Sequence, residues 1–74
     1  MKILVSDKFP KEGLALLEQA EGVTLDYQPG LSPEQLKVAI ADADALILRG
    51  GTQMTEELFL EAKQLKVVGR AGVG

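Results

Sequence analysis

Cysteine and histidine are both absent from the 74 residues. Thus the chain has no imidazole base, no Ser-His or Cys-His pair and no ordinary zinc site, and any proton transfer falls to carboxylates, lysines and one tyrosine. The residues with most chemical content are instead basic and glycine-rich: Arg49-Gly50-Gly51-Thr52, and the closing run Gly69-Arg70-Ala71-Gly72-Val73-Gly74. Glycines let a backbone approach a ligand closely, N–H groups near a helix start favour an anion, and arginine adds two-pronged recognition of carboxylate or phosphate. The plainer reading of both runs is a flexible turn with a solvated arginine, and spacing alone leaves the two readings open.

Other candidates are weaker. The closing run follows G-x-x-G-x-G, the reverse of the dinucleotide fingerprint, with no further strand or ribose-binding acid, so a nucleotide site is rejected. Asp7 stands where a phosphate receiver keeps an acid, but such a site also wants a second acid beside it and a phosphate-accepting Asp where this chain has Arg49. Asp7 is therefore expected to serve as a strand-end turn or to begin a helix. Glu56-Glu57 and the pair Asp42 and Asp44 suit a helix start and a loop, not an acid and base pair. Phe9 and Phe59 are expected in core or rim packing, and Tyr27 half exposed on an edge strand.

The elements that would position these residues follow from hydrophobic periodicity. Residues 2 to 6 form an apolar run suited to a buried parallel strand. Residues 11 to 20 change to a helical stripe of Leu14, Leu17 and Ala20, with Leu16 beside it and Pro10 at its start. Residues 23 to 27 alternate as an edge strand, ended by Pro29-Gly30. Ser32, Pro33 and Gln35 spell a capping box ahead of Leu36, Ala39, Ile40 and Ala43. Residues 45 to 48 read as a central strand, Thr55 as the cap of a third helix with Leu58, Phe59, Ala62 and Leu65 facing inward, and residues 66 to 68 as a fourth strand.

This β-α-β-α-β-α-β alternation predicts an α/β fold with a doubly wound parallel sheet, strand order 2-1-3-4. Ligands of such sheets sit beyond the carboxyl ends of the strands, where the order reverses. Here that crevice would gather Ser6 and Asp7, Arg49 to Thr52, and Gly69 to Gly74, so that two arginines meet one mouth. Such sheets ordinarily carry more strands, so the chain is expected to be a fragment or a cut-down form of a longer protein.

Composition sets the remaining bounds. With 46% apolar and 26% charged residues the chain is globular, and at 74 residues it is at most one domain. A net charge of −3 argues against nucleic acid and anionic lipid, leaving small molecules or protein as partners. The opening apolar run is too short for a signal peptide or a membrane span, so no membrane partner and a cytoplasmic location are expected.

The path K-I-L-V-S-D, E-G-L, G-L-S-P-E-Q-L, D-A-L-I-L-R and L-K-V-V-G-R-A-G-V-G resembles, over the whole chain, the amino-terminal part of the phosphoglycerate-oxidising members of the D-isomer-specific 2-hydroxyacid dehydrogenase family. The resemblance implies a flavodoxin-like substrate-binding domain, with residues 1–74 a part of it and the NAD-binding domain absent. It implies a parent that oxidises the 2-hydroxyl of 3-phosphoglycerate by hydride transfer to NAD, at the start of serine biosynthesis. On that basis the substrate-binding residues are Arg49, Gly50, Arg70, Gly72, Val73 and Gly74. No catalytic, cofactor or metal residue falls within the chain, and NAD belongs to the parent alone.

There are two departures, the larger being truncation, since the family's dinucleotide motif and its catalytic arginine, glutamate and histidine are expected beyond residue 74. Where the family commonly reads R-S-A-T, this chain reads Arg49-Gly50-Gly51-Thr52 and lacks a hydroxyl, which loosens the tie to one exact substrate. The fragment alone is not expected to catalyse the reaction. A rival expectation is a ligand-free self-associating half-flavodoxin-like module, and a homodimer is expected because the edge at Lys66-Val67-Val68 would lie open.

Overall fold

The computed structural model of the chain describes residues 1–50, 52 and 55–70. Seven elements alternate: β1 Lys2–Val5, α1 Lys11–Gln19, β2 Thr24–Tyr27, α2 Pro33–Ile40, β3 Ala45–Leu48, α3 Glu56–Glu61 and β4 Val67–Arg70. The strands form one sheet in the order β2-β1-β3-β4, and every neighbouring pair is parallel. Fold class and strand order are those expected from the sequence.

The continuous apolar runs of β1 and β3 are explained by burial on both sides. Successive side chains of a strand point to opposite faces. Leu4, Leu46 and Leu48 accordingly join Leu36 and Ile40 of α2 and Leu58 of α3 in one buried cluster. Ile3, Val5 and Ala45 join a second cluster flanked by the half-buried Leu14 and Leu17 of α1. So α1 covers one face, and α2 and α3 pack together over the other.

Helix starts follow the local chemistry. The Ser32 hydroxyl accepts the Gln35 N–H at 3.2 Å while the Gln35 side chain accepts the Ser32 N–H at 3.0 Å, closing the capping box before Pro33. The Thr55 hydroxyl accepts the Leu58 N–H at 3.2 Å and starts α3. Pro10 begins α1 with its preset backbone and no side-chain cap. The amino edge is locked by Asp44, whose carboxylate accepts the Lys2 N–H at 2.8 Å, and by the Lys2 ammonium, 2.9 Å from Asp42 and 3.8 Å from Asp26.

Three expectations are corrected. The fourth strand begins at Val67 and runs on through Gly69 and Arg70, because the ladder to β3 continues: Ile47 pairs with Gly69 and Leu48 with Arg70. Phe59 does not face inward but is 53% exposed. In a helix of six residues the stripe from Leu58 to Ala62 faces the core, and Phe59 lies about 100° around from it. The first strand and helix end one residue early, at Val5 and Gln19, although the Ser6 N–H still donates to the Ile47 carbonyl at 3.1 Å.

Candidate functional site at the carboxyl edge

The loops leaving β1 and β3 are tied together where the strand order reverses. The Asp7 carboxylate accepts the backbone N–H of Arg49 at 2.6 Å. One residue earlier, the Ser6 hydroxyl lies 2.9 Å from that of Thr52, and Ser6 itself is buried. The Arg49 guanidinium donates to the Lys8 carbonyl at 3.3 Å, and the Thr52 N–H turns back to the Arg49 carbonyl at 3.4 Å. Asp7 thus works across the sheet instead of merely ending a strand or beginning a helix.

Arg49 is exposed, and among the described residues its guanidinium has no ion-pair partner. Its backbone is committed while its charge remains available, which suits it to receive an anionic group. Arg70 is also exposed and ends β4 beside Leu48, so the two arginines leave adjacent strands at the same edge. Gly51, Ala71, Gly72, Val73 and Gly74 lie outside the described residues.

Next to Arg49, Gly50 is not demanded by crowding: a Cβ there would meet nothing within 4 Å, and its φ is not left-handed. Gly50 and Thr52 border a cleft of about 420 Å³ whose far wall is Leu31, Leu36 and Leu58. At its rim Lys37 and Glu57 form an ion pair at 2.8 Å. That hydrogen bond and charge attraction raise the Lys37 pKa and lower that of Glu57. The cleft therefore offers two hydroxyls, apolar walls and a charge pair already satisfied.

The loop carrying Asp7 and Lys8 is braced from behind by Phe9, Gly13 and Tyr27, whose contacts with one another no short-range pattern announces. The Phe9 ring sits directly on Gly13 of α1, where any side chain would collide with it, and the Phe9 N–H donates to the Tyr27 hydroxyl at 3.3 Å. A glycine inside a helix costs roughly 0.5–1 kcal/mol relative to alanine, and that cost at Gly13 was the available signal of a close approach. Phe9 is half-buried against the α1 cluster and Tyr27 is 38% exposed, as expected of rim aromatics.

The arrangement offers an exposed cationic group on a fixed backbone, which is the chemistry of anion recognition. No histidine exists in the chain, and among the described residues no group of three or more possible metal ligands converges. Nor does the edge suit a dinucleotide. Gly69 lies in a strand, paired with Ile47, and is not the tight strand-to-helix turn that cradles a pyrophosphate.

The model of the D-isomer specific 2-hydroxyacid dehydrogenase catalytic domain matches residues 3–74. The chain belongs to this family. It is 51% identical over 74 residues to D-3-phosphoglycerate dehydrogenase 2, chloroplastic, of Arabidopsis thaliana, an alignment covering 99% of this chain and 12% of that protein. It is 42% identical over 74 residues to D-3-phosphoglycerate dehydrogenase of Methanocaldococcus jannaschii, covering 100% of this chain and 14% of that one. A solved structure of a Thermus thermophilus protein superposes with a TM-score of 0.84 at 29% identity, over 100% of this chain and 24% of that one. A Pyrococcus horikoshii protein gives the same score and identity, over 93% and 20%. This member of the family thus spans about an eighth of the length of these curated relatives. No helix among its described residues is long and apolar enough to cross a membrane.

Proposed function

We propose that residues 1–74 form part of the substrate-binding domain of an NAD-dependent D-3-phosphoglycerate dehydrogenase, and that Arg49 and Arg70 receive its anionic substrate. The observation that carries this reading is the state of Arg49: an exposed guanidinium without a carboxylate partner among the described residues, on a backbone fixed by Asp7. The relatives supply the substrate class, since several D-3-phosphoglycerate dehydrogenases align over essentially the whole chain. The parent would pass a hydride from C2 of 3-phosphoglycerate to NAD, giving 3-phosphohydroxypyruvate, in the cytoplasm and at the start of serine biosynthesis. NAD would be held by a separate domain.

In this reading the arginines attract and orient the phosphate or carboxylate, and the glycines beside them, Gly50, Gly72 and Gly74, with Val73, bring backbone N–H groups close. Amide NMR spectra of the chain with and without millimolar 3-phosphoglycerate test it. Shifts confined to residues 49–52 and 69–74, and lost in Arg49→Ala, are expected. A dispersed spectrum that the ligand leaves unchanged overturns the reading for this chain.

A second reading, self-association as a homodimer, is favoured by β4. All four of its residues are exposed at an edge of the sheet, Val67 by 52% and Val68 by 39%. Open edges invite pairing with another strand. Light scattering is expected to show a mass above 7.9 kDa that Val67→Lys reduces; a monomer at high concentration removes this reading.

A further inference from the structure

We infer that Asp7 and Ser6 are positioning residues that hold the loop from Arg49 to Thr52 in its anion-receiving form; this rests on the proposed role of Arg49. The loop has two adjacent glycines, Gly50 and Gly51, and glycine loses more backbone freedom on ordering than any other residue. Ordering a loop of this composition carries that loss, so ties formed before binding raise affinity without touching the ligand.

The two residues that follow β1 supply such ties at both ends of the loop. Asp7 takes the Arg49 N–H in a short, charge-assisted bond of 2.6 Å, and the buried Ser6 hydroxyl meets Thr52 at 2.9 Å. Ser6 is itself held by its N–H to the Ile47 carbonyl, the residue two before Arg49. The labour within Arg49 is divided: its backbone is given to Asp7, and its guanidinium keeps one bond of 3.3 Å to a neutral carbonyl. That bond can be exchanged for a stronger one to an anion.

An acid beside an anion site would be a liability if its charge were the point. The geometry gives Asp7 a different use, since what it contributes is an acceptor aimed at one N–H. Asparagine can offer the same acceptor without charge, and alanine cannot. The conservative variant therefore separates positioning from charge.

The test measures the free chain and the chain with 3-phosphoglycerate, in wild type, Asp7→Ala, Asp7→Asn and Ser6→Ala. In the free chain, Asp7→Ala is expected to speed hydrogen exchange at the Arg49 amide by about tenfold while the Leu46 amide is unchanged, and Asp7→Asn to stay within about threefold of wild type. Affinity for 3-phosphoglycerate should fall by about five- to tenfold in Asp7→Ala, by less in Ser6→Ala, and not at all in Asp7→Asn. Arg49 exchange unchanged in Asp7→Ala overturns the tie. Faster exchange with wild-type affinity overturns the positioning role, and equal loss in Asp7→Ala and Asp7→Asn shows that charge is what matters and overturns it too. A wild-type chain with a protected Arg49 amide that ignores the ligand overturns the anion reading itself, and positioning for it. Should Asp7→Ala fail to fold, Ser6→Ala decides: its loop must loosen at Thr52 and its affinity must fall, or the inference is lost.

Discussion

On the side of α2 and α3, the sheet meets Leu36, Ile40, Ala43 and Leu58, and together with Leu4, Leu46 and Leu48 these are buried. On the side of α1 the buried cluster among the described residues is Ile3, Val5 and Ala45, and α1 contributes no buried residue of its own. The deeper face is held by hydrophobic contact. The shallower face relies on particular contacts, Phe9 on Gly13 and Phe9 N–H on the Tyr27 hydroxyl, and the loop carrying Asp7 and Lys8 leaves from it. The candidate anion loop is thus steadied by directional ties more than by burial, which leaves its charged group open to solvent.

The contrast is broken or upheld first in the core. Leu46→Ala, at a fully buried position, is expected to cost about 2–5 kcal/mol, while Leu17→Ala on the half-buried face should cost about 1–2 kcal/mol. Urea unfolding compares the two, and equal losses would remove the distinction between the faces. Next comes Gly13→Ala. It gains helix propensity but displaces the Phe9 ring, so a net loss of about 1 kcal/mol is expected, with a shift of the Arg49 amide in NMR spectra as the Lys8 carbonyl moves. A stabilised variant with an unmoved Arg49 amide would show that the brace does not reach the site.

Ser32→Ala probes the deeper face through its most local element. It removes one half of the capping box of α2 and should cost about 1 kcal/mol, with Leu36 and Ile40 amides exchanging faster. Gly50→Ser should leave stability within about 0.5 kcal/mol, since the added Cβ meets open space, and its effect should appear only in ligand affinity.

These residues also show what the sequence could and could not disclose. Capping at Ser32 and Thr55 and the apolar runs of β1 and β3 are short-range signals, and the structure follows them. The end of β4 was not legible, because Gly69 and Arg70 read locally as a loop and become strand only through pairing with β3. Phe59 misled for a related reason: a helix of six residues has too narrow an inward stripe to include it. At the site, Arg49 was visible by type and spacing. The reach of Asp7 to an amide 42 positions away was not, because no local pattern encodes a contact that exists only once β1 and β3 lie side by side.

The smallest effect concerns the amino edge, opposite the candidate site, where the sheet is tied by charge. The hydrogen bond from Lys2 holds the Asp42 carboxyl below its ordinary value of 3.8 and, through the same bond, holds Lys2 above 10.5. A carboxyl lowered in the folded state contributes stability that is present above its unfolded value and lost as pH falls through the folded one. A lysine raised in the folded state contributes stability that is lost as pH rises past 10.5. Asp42→Asn should therefore flatten the fall of the melting temperature below about pH 4 and slightly lower stability at neutral pH. Because Asp42 is exposed, high salt should mute both differences, and they should be smaller than that of Ser32→Ala. A salt-independent loss as large as that of Leu46→Ala would mean that the amino edge, and not the deeper hydrophobic face, governs the stability of the sheet.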